Sequence, residues 1–239
     1  DDDFLRIVFM SRINKKKGLD IVFKIAKYYT NINPQKITID FYGPIETTDE
    51  DYFFEQIEKY SLTKYHGILQ PEEIYNTLEN YDILILPTQY YTEGFPGAIL
   101  DAYIAGIPVL VSNWKHANEF VENGVSGFIC EMSDVNQYIQ KLDRILKVRK
   151  YIRKNNFDVV ISFLNVPNFL NNISAIGGKK WKVITSERSS KENSLISLRG
   201  EIFNFFQRYS DYIVCNSENA RKLWLKHYPQ YQNKLVTIY

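Results

Sequence analysis

Short, continuous apolar runs alternate with segments of helical periodicity along this chain, and this alternation restricts the possible folds more than any other feature. Leu5–Met10 (LRIVFM) and Ile83–Leu86 (ILIL) are uninterrupted apolar runs. Between them, residues 18–30 carry apolar side chains at helical spacing. Strands that are apolar on both faces are typical of parallel sheets covered by helices on both sides. The sequence therefore predicts an α/β protein with doubly wound parallel sheets.

The same alternation continues to the end of the chain and forms two series. Further strands are predicted at 36–42, 109–111, 127–130, 158–163, 182–187, 212–215 and 235–238, and further helices at 49–61, 71–81, 118–122, from Asp134 onward, 198–209 and 218–227. The basic stretch LKVRKYIRKNNF, near residues 146–156, separates the two series. The predicted domains are therefore 1–146 and 147–239, two Rossmann-like sheets of which the second is incomplete. We interpret the basic stretch as a solvated helix face; contact with a membrane or lipid is the alternative.

Composition narrows the possible partners. The net charge is +1, which provides no general attraction to nucleic acid, and aromatic residues do not interleave with the basic stretch. Cys130 and Cys215 lie in apolar runs and are expected to be buried thiols in a reducing compartment. No apolar run approaches the ~20 residues of a membrane span, and no signal-peptide pattern is evident. We therefore expect a cytoplasmic protein that does not bind nucleic acid.

The stretch TEGFPGAILDAYIAGIPVLVS, residues 92–112, predicts a short helix that leaves the end of a strand. Pro96 suits the first helical position, Gly106 suits the left-handed position after the last turn, and Pro108 prevents continuation. The expected helix is 96–105. Its first amides have no intrahelical acceptor and lie at the positive end of the helix dipole, so they form a potential site for an anionic or hydroxylated ligand.

Two acidic residues accompany this helix. Glu93 precedes it and Asp101 lies about one turn inside it, eight residues later and at most ~12 Å away. That separation is about the span from a sugar ring to a ribose across a diphosphate. The alternative interpretation is that Glu93 only complements the helix dipole and that Asp101 is a solvated helix residue.

A basic loop follows the first strand. Arg12 and Lys17 lie in SRINKKKG, just beyond the carboxyl end of that strand, and both residue types bind phosphate well. The adjacent Lys15 and Lys16 make the choice among the three lysines open, and an ordinary charged loop is the alternative. His66, His116 and His227 have no Asp or Cys partner at metal-binding spacing, so we predict no metal site.

Four stretches in order carry a family resemblance: SRINKKKG, IDFYGP, ILPTQYYTEGFPGAILDAYIAGIPVLVS and NEFVENGVSGFI. Over about residues 4–146 the chain resembles the C-terminal, donor-binding domain of the retaining GT-B glycosyltransferases of family 4, also called group 1. The glutamate-x7-glutamate motif of that family corresponds here to Glu93 and Asp101. The second acid keeps its charge and is one methylene shorter.

The resemblance implies roles for individual residues. Arg12 and Lys17 would hold the donor diphosphate, Glu93 the hydroxyls of the transferred sugar, and Asp101 the ribose. Further donor-binding positions would be Gly43, Thr88, Gly94, Phe95 and Gly97, with Thr88 lining the pocket. The implied donor is a nucleotide sugar, most often a UDP-sugar in this family, and no cofactor or metal is expected.

The second part resembles the later half of the acceptor-side, N-terminal domain of the same family, through DVVISFLNVPN, VITSERSS and SDYIVCNSENARKLW. The order of the two domains is reversed relative to the family, which fits a permuted chain, joined pieces of a longer protein, or the junction of two tandem transferases. We favour an incomplete or rearranged chain. Glu187 and Arg188 lie where an acceptor-side residue would be expected; a strand-end ion pair is the alternative.

The function implied by the resemblance is transfer of a sugar, with retention, to a hydroxyl of a glycan or lipid-linked acceptor, as in polysaccharide biosynthesis. Such an acceptor would lie at the inner face of the membrane. The basic stretch and the aromatic residues of 203–206 are compatible with peripheral docking there. The alternative function is a nucleotide-sugar-binding module, or an inactive fragment, without transferase activity.

Overall fold

Two parallel β-sheets form the framework of the protein. The computed structural model describes residues 4–32, 36–187, 195 and 204–238. The first sheet has six strands in the order β3-β2-β1-β4-β5-β6, and the second has four in the order β10-β9-β8-β7. Every strand pair in both sheets is parallel. The predicted α/β class with two parallel sheets is confirmed, and the first of these sheets is doubly wound.

The first sheet alternates with helices along the chain as the hydrophobic pattern predicts. Its strands are β1 Leu5–Met10, β2 Ile37–Tyr42, β3 Thr63–Tyr65, β4 Ile83–Leu86, β5 Val109–Ser112 and β6 Gly127–Cys130. The helices are α1 Leu19–Ile32, α2 Glu50–Lys59, α3 Ile74–Leu78, α4 Gly97–Ala105, α5 Ala117–Phe120 and α6 Val135–Lys154. The central strands β4 and β5 are buried at every position, as expected for a sheet with helices on both faces.

Two helices are shorter than the hydrophobic pattern predicts, α2 by one residue at its start and two at its end and α3 by three at each end, and a turn of 3-10 helix precedes each. Pro71–Glu73 precedes α3, and Thr47–Asp49 precedes α2. Acidic residues and a proline are common at such N-terminal turns, where the first amides lack intrahelical acceptors.

The second sheet is built from the last third of the chain. Its strands are β7 Val159–Phe163, β8 Lys182–Glu187, β9 Tyr212–Cys215 and β10 Leu235–Thr237, with α7 Asn165–Ser174 and α8 Glu218–His227. Of the helix predicted at 198–209, residues 204–206 are helical and Gln207–Tyr209 form a 3-10 turn, whereas 198–203 lie outside the described residues.

Helix α6 runs without interruption across the predicted boundary at residue 146, so the division into 1–146 and 147–239 remains a prediction. The basic stretch on this helix is only partly solvated, which corrects our interpretation of it. Arg149 is 2% exposed, and its guanidinium lies 2.9 Å from the carboxylate of Asp82 and donates to the carbonyl of Ile176. Arg6 contacts the same carboxylate at 3.2 Å. A buried ion pair therefore joins α6 to the first sheet and to the loop after α7.

One face of the second sheet is open. Val159, Ile161 and Phe163, on alternate positions of the edge strand β7, are 45%, 55% and 50% exposed. Tyr212 on β9 and Val236 on β10 are exposed on the same face, as the strand register shows. Parallel sheets are usually covered on both sides, so this face differs from the fully covered first sheet.

Cys130 and Cys215 are buried free thiols, as expected from their apolar runs. Burial raises the pKa of the Cys130 thiol to about 12 and that of Cys215 to about 11. Among the described residues, no helix combines the length and apolar character needed to cross a bilayer.

Candidate functional site

The basic loop after β1 is held against the end of β4 by a glycine. Gly18 has φ +89°, and a Cβ at this position would lie 2.0 Å from the carbonyl oxygen of Pro87. Only glycine tolerates both that conformation and that approach. Asn14 caps the preceding 3-10 turn, Lys15–Lys17, by accepting a hydrogen bond from the Lys17 amide at 2.8 Å. The loop therefore presents Lys17 to the segment that follows β4.

A second glycine brings the end of β2 to the same loop. Gly43 has φ +131°, and a Cβ there would lie 2.0 Å from the carbonyl oxygen of Ser11. The predicted donor-binding position Gly43 is thus a close approach between two loops at the carboxyl edge of the sheet. Because the carboxyl ends of parallel strands share one edge, the loops after β1, β2 and β4 meet there.

Helix α4 begins one residue later than predicted. Pro96 lies in an extended conformation as the N-cap, and the first helical residue is Gly97. The carbonyl of Pro96 accepts a hydrogen bond from Ile99, which starts the helix without a proline in its first turn. Gly106 ends the helix in the left-handed conformation, as predicted. The first-turn amides of Gly97 and Ala98 lack intrahelical acceptors.

Open space surrounds the backbone at the start of α4. A Cβ added at Gly94 or at Gly97 would meet no atom within 4 Å. Neither glycine is therefore required by packing, and both leave room for a ligand to approach the backbone. Phe95 between them is 47% exposed and stacks on Phe120 with ring centroids 4.5 Å apart.

Glu93 is the centre of a small hydrogen-bonded group. The ammonium of Lys17 lies 2.7 Å from Oε2 of Glu93, and the hydroxyl of Thr88 donates to the same oxygen at 2.9 Å. Both charged side chains are mostly buried, with 18% and 15% of their surfaces exposed. The structure thus brings together two residues that are 76 positions apart in sequence.

A cavity of about 330 Å³ opens beside this group. Arg12, Lys17, Gly43, Gly97 and Asp101 all line it, so five predicted site residues share one cavity. Its remaining walls are mainly apolar and come from Met10, Ser11, Tyr42, Pro44, Ile68, Leu69, Ile74, Pro96 and Ala98.

The electrostatics of the cavity are mixed in sign. Arg12 is exposed and forms no ion pair with any residue that the structure describes. Partial burial raises the pKa of Asp101, which also lines the cavity, and a hydrogen bond from Tyr75 partly offsets that effect. Two cations, the start of α4 and the Asp101 carboxylate thus border the same cavity, an arrangement suited to a ligand with both anionic and hydroxyl groups.

Thr88 is not among the residues that line the cavity, and neither are Glu93, Gly94 and Phe95, so the donor-binding roles of these four residues stay predictions. The side chain of Thr88 is fully buried. Its hydroxyl reaches the site only through Glu93.

Glu187 lies in a separate part of the protein. It is at the carboxyl end of β8, is 5% exposed, and accepts a hydrogen bond from Gln207 at 2.9 Å. Burial raises the pKa of this carboxyl group to about 8. Glu187 forms no ion pair with a described residue, and because Arg188 lies outside the described residues, the strand-end ion pair stays an alternative.

The 3-10 turn Gln207–Tyr209 contacts helix α4 away from the cavity. Arg208 donates to the carbonyl of Ala105, and the hydroxyl of Tyr209 donates to that of Gly106. These carbonyls are at the C-terminal end of α4, opposite the end that borders the cavity. Within the described part of the chain, the residues that line the cavity fall between positions 10 and 101, so Glu187 does not border the predicted donor site.

Two supporting residues escaped the sequence analysis. Asn14 orients Lys17, and an asparagine three residues before that lysine amide is a recognisable capping signal. Tyr75 hydrogen-bonds Asp101 from α3, a contact between separate helices that no local pattern reveals. Across the described part of the chain, no cluster of three or more His, Cys, Asp or Glu side chains has metal-binding geometry.

Comparison with curated proteins gives relatives that match part of the chain. Among curated proteins, the UDP-Gal:alpha-D-GlcNAc-diphosphoundecaprenol alpha-1,3-galactosyltransferase of Escherichia coli is 34% identical over 96 residues, 39% of this chain and 24% of that protein. The capsular polysaccharide biosynthesis glycosyltransferase CapM of Staphylococcus aureus is 27% identical over 151 residues, 61% of this chain and 37% of that protein. The chain thus spans well under half the length of these relatives.

Solved structures show the same fold at low sequence identity. Anabaena HepE in complex with UDP superposes with a TM-score of 0.54 at 19% identity, over 72% of this chain and 44% of that one. The C-terminal domain of the group 1 glycosyl transferase LpcC from Francisella tularensis superposes with a TM-score of 0.52 at 21% identity, over 60% of this chain and 75% of that one. The α/β architecture is therefore of the GT-B type. The family model for glycosyl transferases group 1 matches residues 1–157, and the chain belongs to that family.

Proposed function

We propose that this chain carries the nucleotide-sugar site of a retaining, family 4 glycosyltransferase that transfers a sugar to a hydroxyl of a glycan or lipid-linked acceptor. The observation that carries the proposal is the cavity at the carboxyl edge of the first sheet, where Arg12, Lys17 and Asp101 meet the start of α4. The cations match a diphosphate, the carboxylate matches ribose hydroxyls, and the apolar walls match a nucleobase.

The donor is proposed to be a UDP-sugar. The E. coli relative has UDP-Gal in its name, and the HepE structure contains UDP. Both proteins share the family or the fold of this chain, which supports the same nucleotide here.

The catalytic role of the cations follows from where charge develops. When the bond between the sugar and the diphosphate breaks, negative charge grows on the leaving phosphate oxygen. Arg12, Lys17 and the amides at the start of α4 would stabilise that charge, which makes the transfer independent of a metal ion. The ammonium of Lys17 has three protons, so it can contact Glu93 and a phosphate oxygen together.

Retention requires the acceptor oxygen to attach on the face from which the diphosphate leaves. The carbon–oxygen bond to the diphosphate breaks, the acceptor oxygen bonds to the same carbon, and the acceptor proton passes to the departing phosphate. Glu93 alone does not provide the pair of carboxylates that a glycosidase mechanism needs. Its role in this scheme is to hold sugar hydroxyls.

The proposed location is the cytoplasm, at the inner face of the membrane. Lys147, Lys150 and Lys154 on α6 are exposed together with Tyr151, and such a surface attracts anionic lipid headgroups. Buried Arg149 lies on the opposite side of the helix and takes no part.

The alternative is a nucleotide-sugar-binding module without turnover. One observation favours it: among the described residues, those that line the cavity all fall at positions 10–101, and Arg208 contacts the far end of α4. In this case the chain would bind a donor without presenting an acceptor.

A turnover assay separates the two functions. UDP-galactose, UDP-glucose and UDP-N-acetylglucosamine would be incubated with membrane lipid-linked oligosaccharide extracts, with and without EDTA, and UDP release and the anomeric configuration of the product would be followed by NMR. The transferase proposal predicts a product of retained configuration and a rate unchanged by EDTA. Saturable donor binding with no product would support the binding module, and an inverted product would contradict the retaining mechanism.

A further inference from the structure

A buried threonine fixes the orientation of the carboxylate at the centre of the site. Oε2 of Glu93 receives two hydrogen bonds, from the Lys17 ammonium at 2.7 Å and from the Thr88 hydroxyl at 2.9 Å. Oε1 receives none from the described residues. The carboxylate thus has one oxygen occupied by the protein and the other available to a ligand.

The hydroxyl proton of Thr88 has two possible acceptors. Oε2 of Glu93 lies at 2.9 Å, whereas the carbonyl oxygen of Lys16 lies at 3.4 Å. The shorter bond to the charged acceptor is the stronger one. The same hydroxyl oxygen accepts from the Tyr90 amide at 3.2 Å, which directs the proton toward Glu93.

Thr88 is itself held rigidly. Its side chain is fully buried, and its carbonyl accepts a hydrogen bond from the buried hydroxyl of Ser112 at 2.6 Å. Ser112 is the last residue of β5, and Thr88 lies two residues beyond the end of β4, the neighbour of β5 in the first sheet. The hydrogen bond from Ser112 therefore holds the backbone of Thr88 at the edge of the sheet.

We propose that Thr88 is a positioning residue, which turns the Glu93 carboxylate so that Oε2 faces Lys17 and Oε1 faces the transferred sugar. This inference rests on the proposed function, in which Glu93 holds sugar hydroxyls. A lysine ammonium is a compact point charge on a flexible stem and does not fix the rotation of a carboxylate by itself. The second, directional donor supplies that restriction.

In this arrangement, different residues recognise the sugar and the nucleotide of the donor. Thr88 touches Glu93 but does not line the cavity that contains Arg12 and Asp101. Loss of its hydroxyl should therefore weaken the binding of the donor's sugar and leave the affinity for UDP nearly unchanged. If Thr88 had a purely structural role, its loss would lower the affinities for UDP and for the UDP-sugar together.

Calorimetric dissociation constants for UDP, UDP-galactose, UDP-glucose and UDP-N-acetylglucosamine test this separation. Thr88→Val and Thr88→Ala remove the hydroxyl, and Thr88→Ser restores it. Thr185→Val is the matched control, because Thr185 of β8 is equally buried and donates a hydrogen bond to the side chain of Gln207, away from the cavity. Melting temperatures show which variants are folded.

We expect UDP to bind within about twofold of wild type in all variants. The extra affinity that the preferred UDP-sugar has over UDP should fall about tenfold in Thr88→Val and Thr88→Ala, the equivalent of one charge-assisted hydrogen bond. This extra affinity should return to within about threefold of the wild-type value in Thr88→Ser and stay unchanged in Thr185→Val. Should Thr88→Val not fold, the comparison of Thr88→Ala with Thr88→Ser carries the test.

Two outcomes overturn the inference alone: in Thr88→Ala the affinities for UDP and for the UDP-sugar fall by the same factor, or neither affinity changes. It is also overturned if none of the three sugars alters the affinity of the wild-type chain relative to UDP, because Glu93 then holds no sugar. Absence of UDP binding to the folded wild type is a different result, which overturns the proposed function and the inference together.

Discussion

Single residues decide the chemistry at the carboxyl edge of the first sheet. Lys17 and Glu93 approach to 2.7 Å from two loops that belong to different strands. Their contact depends on Gly18, which allows the first loop to lie against Pro87. This charged pair is mostly buried and lies next to an open cavity that Arg12 also lines. Such an arrangement is expected of a binding site for an anionic ligand.

Glu187 gives a prediction at the residue scale, because burial raises its pKa from the usual 4.5 to about 8. The folded chain then binds a proton between these two values that the unfolded chain has released. Stability from this group is present below pH 4.5 and is lost as the pH rises toward 8. We expect the free energy of unfolding of wild type to fall by up to roughly 1.4 kcal/mol per pH unit in that window.

Urea denaturation between pH 5 and pH 8 measures this slope. Glu187→Gln keeps the shape and the contact with Gln207 but cannot ionise. Its slope should be clearly smaller than that of wild type. Equal slopes for the two proteins would show that Glu187 ionises normally in the folded chain.

At the scale of elements, the turns that carry the site rely on backbone conformations that few residues adopt. Gly18 and Gly67 have similar left-handed φ values, +89° and +82°. They differ in their surroundings, because a Cβ at Gly18 would collide with Pro87, whereas one at Gly67 would meet nothing within 4 Å. Alanine substitutions at the two glycines therefore distinguish the free-energy cost of a left-handed alanine from the cost of a steric clash with Pro87.

We expect Gly67→Ala to destabilise the chain by about 1 kcal/mol, the cost of an alanine in a left-handed conformation. Gly18→Ala should cost several kcal/mol and also weaken nucleotide binding, since Lys17 is displaced. Chemical denaturation and UDP calorimetry on both variants provide the measurement. Similar losses of stability, with equal binding, would contradict the role given to the Gly18 turn.

The elements themselves were largely predictable. Strands such as Leu5–Met10 and Ile83–Leu86 are mostly or fully buried and coincide with apolar runs, so their limits could be predicted from the sequence. Pro96 was assigned one position too far into α4, because a fixed φ is compatible with both an N-cap and a first helical residue. Helix limits near 3-10 turns were uncertain for a similar reason, since such turns share the composition of helix starts.

Side-chain partners across the sheet were not predictable. The bond from the buried Thr88 hydroxyl to Glu93 could not be foreseen, because the direction of a side chain after a strand depends on the tertiary fold. Arg149 was expected in solvent because it lies in a basic run, yet its partner Asp82 comes from a distant loop. Long-range pairs of this kind leave no local pattern in a single sequence.

For the whole molecule, the junction between the two sheets is a buried ionic group. Asp82 contacts Arg149 at 2.9 Å and Arg6 at 3.2 Å, and both Asp82 and Arg149 are almost fully buried. Phe169 of α7 stacks edge-on against Phe128 of β6, so apolar packing continues across the junction. The last third of the chain is therefore fixed to the first sheet by charge and by packing.

Removal of Asp82 should destabilise the whole chain. Asp82→Ala leaves the buried Arg149 guanidinium without its carboxylate, which typically costs 3–5 kcal/mol. Arg221→Ala, in an exposed pair with Glu218, is the control and should leave stability unchanged within error. Guanidinium denaturation followed by tryptophan fluorescence measures both. A loss for Asp82→Ala no greater than that for Arg221→Ala would contradict the structural role of this junction.

The central claim, that the cavity beside α4 is a nucleotide-sugar site, is tested most directly by calorimetric titration of the chain with UDP and GDP. The account predicts saturable, micromolar binding of UDP, weakened about tenfold or more by Arg12→Ala and by Asp101→Ala, because each variant removes a charged partner of the ligand. Arg144→Ala, an exposed arginine on α6, should bind like wild type. No binding of either nucleotide to the folded chain, or equal binding by Arg12→Ala and wild type, would contradict it.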